Sequence, residues 1–151
     1  MALRQIRLFG DEVLRKKSRE VEVVNEEIRQ LLNDMAETMY NEENGGGLAA
    51  PQIGILKRLV VIDMGQGLIK LVNPKIISKE GSQEVIEGCL SNPNVFGKLL
   101  RPKTVKVQAF NEKGEEITLT GTGDLAKCFC HEIDHLDGIL FTDFVTEYLK
   151  L

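Results

Sequence analysis

The stretch DLAKCFCHEIDHLDG, residues 124–138, decides how this chain folds. Asp124 is of a type that caps helices, Leu125, Ala126, Phe129, Ile133 and Leu136 recur at helical spacing, and Gly138 supplies a stop. The segment reads as a buried helix beginning near Asp124. His131 and His135, the only histidines in the chain, stand four residues apart, so both imidazoles share one helix face and can clamp a metal ion. Glu132 lies between them, where a carboxylate can take a proton from water held at the metal. A five-letter pattern also arises by chance on solvated helices; the apolar residues around this one favour burial.

A hydrolytic site of the zinc type takes three protein ligands and keeps a fourth position open. Two sources stand open for the third. Downstream, Asp143 or Glu147 would supply a carboxylate, as in zincin-type proteases, and no third histidine exists for the longer form of that motif. Upstream, EGCLS at 87–91 offers the Cys89 thiol where the strand residues Val85 and Ile86 give way to the turn residues Ser91, Asn92 and Pro93. Cys89 with two imidazoles makes a soft, roughly tetrahedral site suited to zinc or ferrous iron. Without the histidine pair, such a cysteine would read as a small core residue. The segment GGGLAAPQ, 45–52, joins a helix to a strand. It reads as a turn rather than a phosphate cradle, because it lacks the Lys-Ser/Thr of a P-loop.

Working outward, Ile28, Leu31, Leu32, Met35, Ala36 and Met39 describe one face of an amphipathic helix from Asn25, its cap, to about Asn41, ended by Asn44 and Gly45. Runs at 58–63, 68–73, 75–79, 104–110 and 116–120 read as strands, the last two as a hairpin about the turn at 111–114. The result is an α+β chain, read as a single domain over 1–151: one helix, a mainly antiparallel sheet, then a second helix packed on that sheet. Its 19 basic and 23 acidic residues are scattered, with no like-charge block to act as a nucleic-acid arm. Three cysteines, an odd number without framework spacing, argue for thiols or ligands rather than disulfides. The opening residues lack a signal-peptide core, and no stretch approaches the roughly 20 apolar residues of a membrane span, so the cytoplasm is the expected location.

The three segments GxGLAAPQ (45–52), EGCLS (87–91) and HExDH (131–135) are, in order and spacing, the signatures of the peptide deformylases, and the chain resembles that family over nearly its whole length. The likeness continues through Val13-Leu14-Arg15, Leu71-Val72-Asn73-Pro74, Arg101-Pro102 and residues 136–141. It implies a mainly antiparallel sheet packed around a central metal-binding helix that carries HEIDH. Cys89, His131 and His135 would bind one divalent metal, ferrous iron physiologically, with zinc, nickel or cobalt able to replace it. Hydroxide generated at the metal would attack the formyl carbon of an N-terminal formyl-methionine, with Glu132 as base and then acid. Gln52 and the backbone N–H of Leu90 would meet the oxyanion. Gly46, Gly47 and Gly88 would pair with the substrate backbone by strand addition, and Cys128 would line the methionine pocket or serve as plain core.

The resemblance further implies that Glu87 pairs with Arg101 behind the ligands, while Asp134 either joins them or faces solvent. Partners would be N-formylmethionyl nascent peptides, with the ribosome near its exit tunnel, and the chain would act as a monomer. The alternatives are an HExxH metallopeptidase and a catalytically silent peptide-binding relative. Five residues depart from the family's pattern. Cys130 stands where Gln is common and reads as packing, although a spare ligand is the other reading. Asn92, Phe96 and Asp124 alter the pocket's surroundings. Gly46 replaces what is often a branched aliphatic residue, so a wider pocket wall and a more mobile loop are expected there.

Overall fold

Asn25 adopts an extended backbone, and its side chain accepts the Ile28 N–H at 3.1 Å, which starts α1 (Glu26–Tyr40) as its side chain suggests. The computed structural model describes residues 2–43 and 45–150. All six apolar residues of the α1 stripe are buried. The helix stops at Tyr40, a few residues before Gly45, and the expected breaker Asn44 lies outside the described residues. Gly45 folds back on the helix end so closely that a Cβ there would lie 2.2 Å from the Met39 carbonyl oxygen.

Beyond α1 run β1 (Gly47–Ala49), β2 (Leu59–Ile62) and β3 (Ile69–Glu80), followed by β4 (Gln83–Cys89) and β5 (Asn92–Arg101). The chain ends with β6 (Thr104–Phe110), β7 (Glu116–Thr122), α2 (Asp124–Leu136) and β8 (Glu147–Tyr148). One sheet has the order β1-β2-β3-β6-β7, a second the order β4-β5-β8, and every strand pair in both is antiparallel. The period of two along β2 explains the layering. Leu59 and Val61 face the α1 side, whereas Val60 and Ile62 pack with Phe129, Ile133 and Leu136 of α2. The larger sheet thus lies between the two helices, and a small third core of Val85, Leu99 and Phe141 supports the second sheet.

Three local expectations change. The runs at 68–73 and 75–79 fall in one strand, β3, whose register with β6 shifts between Val72 and Lys75 and again between Ile76 and Ser78. Asn73, at φ 53°, holds the first of these shifts by accepting the Val21 N–H and donating to the Val21 carbonyl, both at 2.8 Å. Asn92 and Pro93 begin β5 instead of continuing a turn, so the turn between β4 and β5 is only Leu90-Ser91. Finally, Gly123 and not Asp124 occupies the N-cap of α2. The chain swings from β7 into the helix at φ 65°, a conformation that favours glycine, and Asp124 becomes the first helical residue. Gly138 does stop α2, at φ 73°. Among the described residues, no helix is long and apolar enough to cross a membrane.

Candidate metal centre

β4 delivers Cys89 at its last residue, and α2 delivers His131 and His135 one turn apart. One donor atom from each lies within 4.8 Å of the other two. The Cys89 Sγ is 3.3 Å from His135 Nε2, and the two imidazoles meet edge to face with centroids 5.0 Å apart. Neither carboxylate of the alternative reading comes near. Asp143 is held by Arg15 at 2.8 and 2.9 Å, and exposed Glu147 faces Lys98 across the second sheet. Among the described residues no other group of cysteine, histidine or acidic side chains converges in this way.

Behind the donors stands a buried charge network. His131 Nδ1 is 2.7 Å from Glu87 Oε1. Arg101, on β5, donates Nε and Nη2 to the two Glu87 oxygens at 2.6 and 2.9 Å, and Nη1 to Asp134 at 2.8 Å. Burial alone would push the Glu87 carboxyl up, but Arg101 and His131 overcome it and hold it at about 2. An ionised carboxylate only accepts, so His131 carries a proton on Nδ1 and turns Nε2 toward the site. Asp134, left open between two roles by its position, is the second anchor of Arg101. Two aromatic contacts had no signal in the sequence: Phe141 stacks on the His131 ring at 5.8 Å, and Phe144 lies 5.6 Å from the Arg101 guanidinium carbon.

The electrostatics suit a cation. Burial would lower the His131 pKa, yet the nearby Glu132 carboxylate and the hydrogen-bonding partners Cys89 and Glu87 raise it well above the usual range. A field that favours a proton on this imidazole favours a divalent ion in the same place. Burial, and then His131, keep His135 far below its ordinary value, so it offers a neutral nitrogen. Two imidazoles and one thiol without a basic side chain among them form a donor set that fits zinc or ferrous iron.

Glu132 is almost fully buried, which pushes its carboxyl up to about 7. Its Oε1 has no protein partner, and its Oε2 is 4.0 Å from His131 Nε2. Gly47 makes this position possible, because a Cβ there would come within 2.6 Å of Glu132 Oε2 and 2.9 Å of Cys128 Sγ. Gln52 lies in a short 3₁₀ turn, Ala50–Ile53. Its Oε1 accepts the Ala49 N–H at 2.9 Å, while Nε2 donates to Ser91 Oγ at 3.1 Å and toward Cys89 Sγ at 3.4 Å. Ser91, wholly buried, was not singled out from the sequence; a serine in a turn carries no mark of this task.

A cavity of about 580 Å³ gathers Gly46, Gly47, Gln52, Gly88, Cys89, Leu90, Cys128, His131 and Glu132 on its wall, with His135 buried beneath. Every residue singled out for the site is therefore at this cavity or directly under it. Cys128 belongs to both the wall and the main core, and burial raises its thiol pKa, leaving an apolar surface. Cys130 is core packing and does not reach the cavity. Of the departures, Asn92 and Phe96 line the cavity, the Phe96 ring lying where a side chain on Gly88 would be, whereas Asp124 does not. The wall at Gly46 is not simply widened: the Met64 side chain fills the space, its Sδ 2.7 Å from where a Cβ would stand.

Residues 3–150 match the family model described as polypeptide deformylase. Peptide deformylase 2 of Clostridium acetobutylicum is 73% identical over 150 residues, which is 99% of this chain and 100% of that protein. The peptide deformylase of Acetivibrio thermocellus is 59% identical over 99% of this chain and 87% of its own. The crystal structure of peptide deformylase from Thermotoga maritima is similar with a TM-score of 0.92 at 40% identity, covering 95% of this chain and 98% of that one.

Proposed function

Because the chain belongs to the peptide deformylase family, and so removes the N-formyl group from formyl-methionine peptides, we propose that the cavity over Cys89, His131 and His135 is where it does so. The observation that carries this assignment is the convergence of those three donors on one cavity that also holds Glu132 and Gln52. On this reading α2, with its HEIDH segment, is the metal-binding helix around which the sheets pack, in one catalytic domain over 1–151. The soft donor set fits zinc or ferrous iron, and the family resemblance implies ferrous iron physiologically, with zinc, nickel or cobalt as substitutes. When bound, the ion supplies Lewis acidity to the formyl carbonyl and lowers the pKa of water.

The chain's own residues account for the rest. Glu132, buried and raised to about 7, takes the proton of the attacking water and returns it to the departing amine nitrogen. The C–O bond forms, the formyl C–N bond breaks, and formate leaves a free N-terminus. Gln52 is neutral, and Ala49 orients its amide so that Nε2, not Oε1, faces the reacting carbonyl oxygen. The Leu90 N–H, at the turn that follows Cys89, is the second donor. Among the described residues β1 pairs only with β2 and β4 only with β5, so each offers an edge to a substrate strand at Gly46, Gly47 and Gly88. The formyl-methionine side chain then lies against the Cys128 thiol.

The metallopeptidase alternative loses support because Asp143 and Glu147 are engaged elsewhere. Cys89→Ala is the decisive variant. It should bind little metal and release no formate from formyl-Met-Ala-Ser under anaerobic conditions, where the parent chain releases it stoichiometrically. Retention of both metal and hydrolysis would mean that the third ligand is another residue.

A further inference from the structure

Gly46 has no side chain with which to wall the cavity, and another element supplies that wall. Met64, at the turn between β2 and β3, reaches across so that its Sδ lies 2.7 Å from where a Gly46 Cβ would be. Its approach is built into the turn. The Asp63 N–H donates to the Gly46 carbonyl at 2.9 Å, and Tyr40 Oη donates to Asp63 Oδ2 at 2.6 Å. Asp63 Oδ1 in turn accepts the N–H groups of Gly65 and Gly67 at 2.9 and 3.3 Å, while Gln66 accepts the Met64 N–H at 3.1 Å. A fixed backbone therefore carries a flexible thioether, 37% exposed, onto the wall of the cavity.

Position along the groove says which part of a peptide it meets. Gly47 lies over Glu132 and Cys128, at the reacting end. Gly46 is one residue further along, about 3.3 Å on an extended chain, and the partly exposed Met64 side chain lies beside it on the cavity wall. We propose that Met64 is a specificity-determining residue: its thioether replaces the wall that Gly46 leaves bare and adapts to the side chain that follows the formylated methionine. The inference rests on the reading of this cavity as the deformylation site. An unbranched side chain with three rotatable bonds moulds itself to different partners, whereas a branched residue on the strand itself would present one fixed shape.

The test is steady-state kinetics on formyl-Met-Xaa-Ser peptides with Xaa as Gly, Leu or Phe. The parent chain should accept all three with similar KM. Met64→Ala should raise KM about 3- to 10-fold for Leu and Phe, little for Gly, with kcat within about twofold, as expected for lost apolar contact remote from the bond broken. Met64→Gln, similar in shape but polar, should show the same ordering. Gly46→Ile collides with Met64 and should raise KM for every peptide; combined with Met64→Ala it should recover binding but separate Leu from Phe. Thermal melts of each variant identify any loss due to folding. Equal KM values for Met64→Ala and the parent across the panel, or a uniform loss of kcat, would overturn the proposal. If the parent chain released no formate from any of these peptides, the functional reading itself would fail instead.

Discussion

Ser91 and Gln52 show how much of the site depends on uncharged side chains. With the Ala49 N–H on Oε1 and the Ser91 hydroxyl beside Nε2, the Gln52 amide has one orientation. Ser91→Ala should therefore lower kcat for formyl-Met-Ala-Ser about tenfold with little change in KM, less than the ~100-fold loss of a whole oxyanion donor, and Ser91→Thr should restore most of it. A Ser91→Ala enzyme with undiminished kcat would show that Gln52 needs no such partner. Gln52 itself was legible only through the family motif, whereas the histidine pair was legible from helical spacing alone. Ser91 and Phe141 were not, and Asp134 stayed between two readings, because these roles arise only when strands and a helix far apart in sequence pack together.

Elements with a strong period were readable, and those resting on partners were not. The stripe of α1 and the alternation of β6 are visible in the residues. β5 begins Asn-Pro-Asn, with Asn94 at φ 65°, and becomes a strand because β4 and β8 pair with it. The start of the chain depends on α1 in the same way. Buried Asp34 accepts the Ala2 N–H, the Gln30 amide and the Arg4 guanidinium, all at 2.9 to 3.1 Å. Burial would raise the Asp34 pKa, but these donors outweigh it and hold it below the usual carboxylate range. A carboxyl depressed in the folded state stabilises above its unfolded pKa, and this contribution vanishes as pH falls through the folded value. Asp34→Asn should thus cost about 1–3 kcal/mol at pH 7, and melts against pH should show the gap closing under acid. A gap that persisted below the carboxylate range would rule out charge as the cause.

At the scale of the molecule, the proposed ligands belong to different cores. Cys89 packs at the small cluster under the second sheet, while α2 lies on the larger sheet. An ion shared between them would bind the folded chain and not the unfolded one. At one hundred times Kd, this linkage contributes about 2.7 kcal/mol. Anaerobic chelation should lower Tm by about 5–10 °C for a chain of this size, reversed by adding ferrous or zinc ion, as calorimetry would record. An unchanged melt would mean that the ion does not join the two cores.

The same arrangement has a consequence for biogenesis. His135 lies 46 residues beyond Cys89, and the β4–β5 hairpin can close locally before the histidine helix has been synthesised. A growing chain therefore carries the Cys89 thiol with no imidazoles to share an ion, and tight capture waits until residues 131–135 have been made. On the proposed ligand set, a chain cut short before α2 has a cysteine but no imidazole with which to hold an ion.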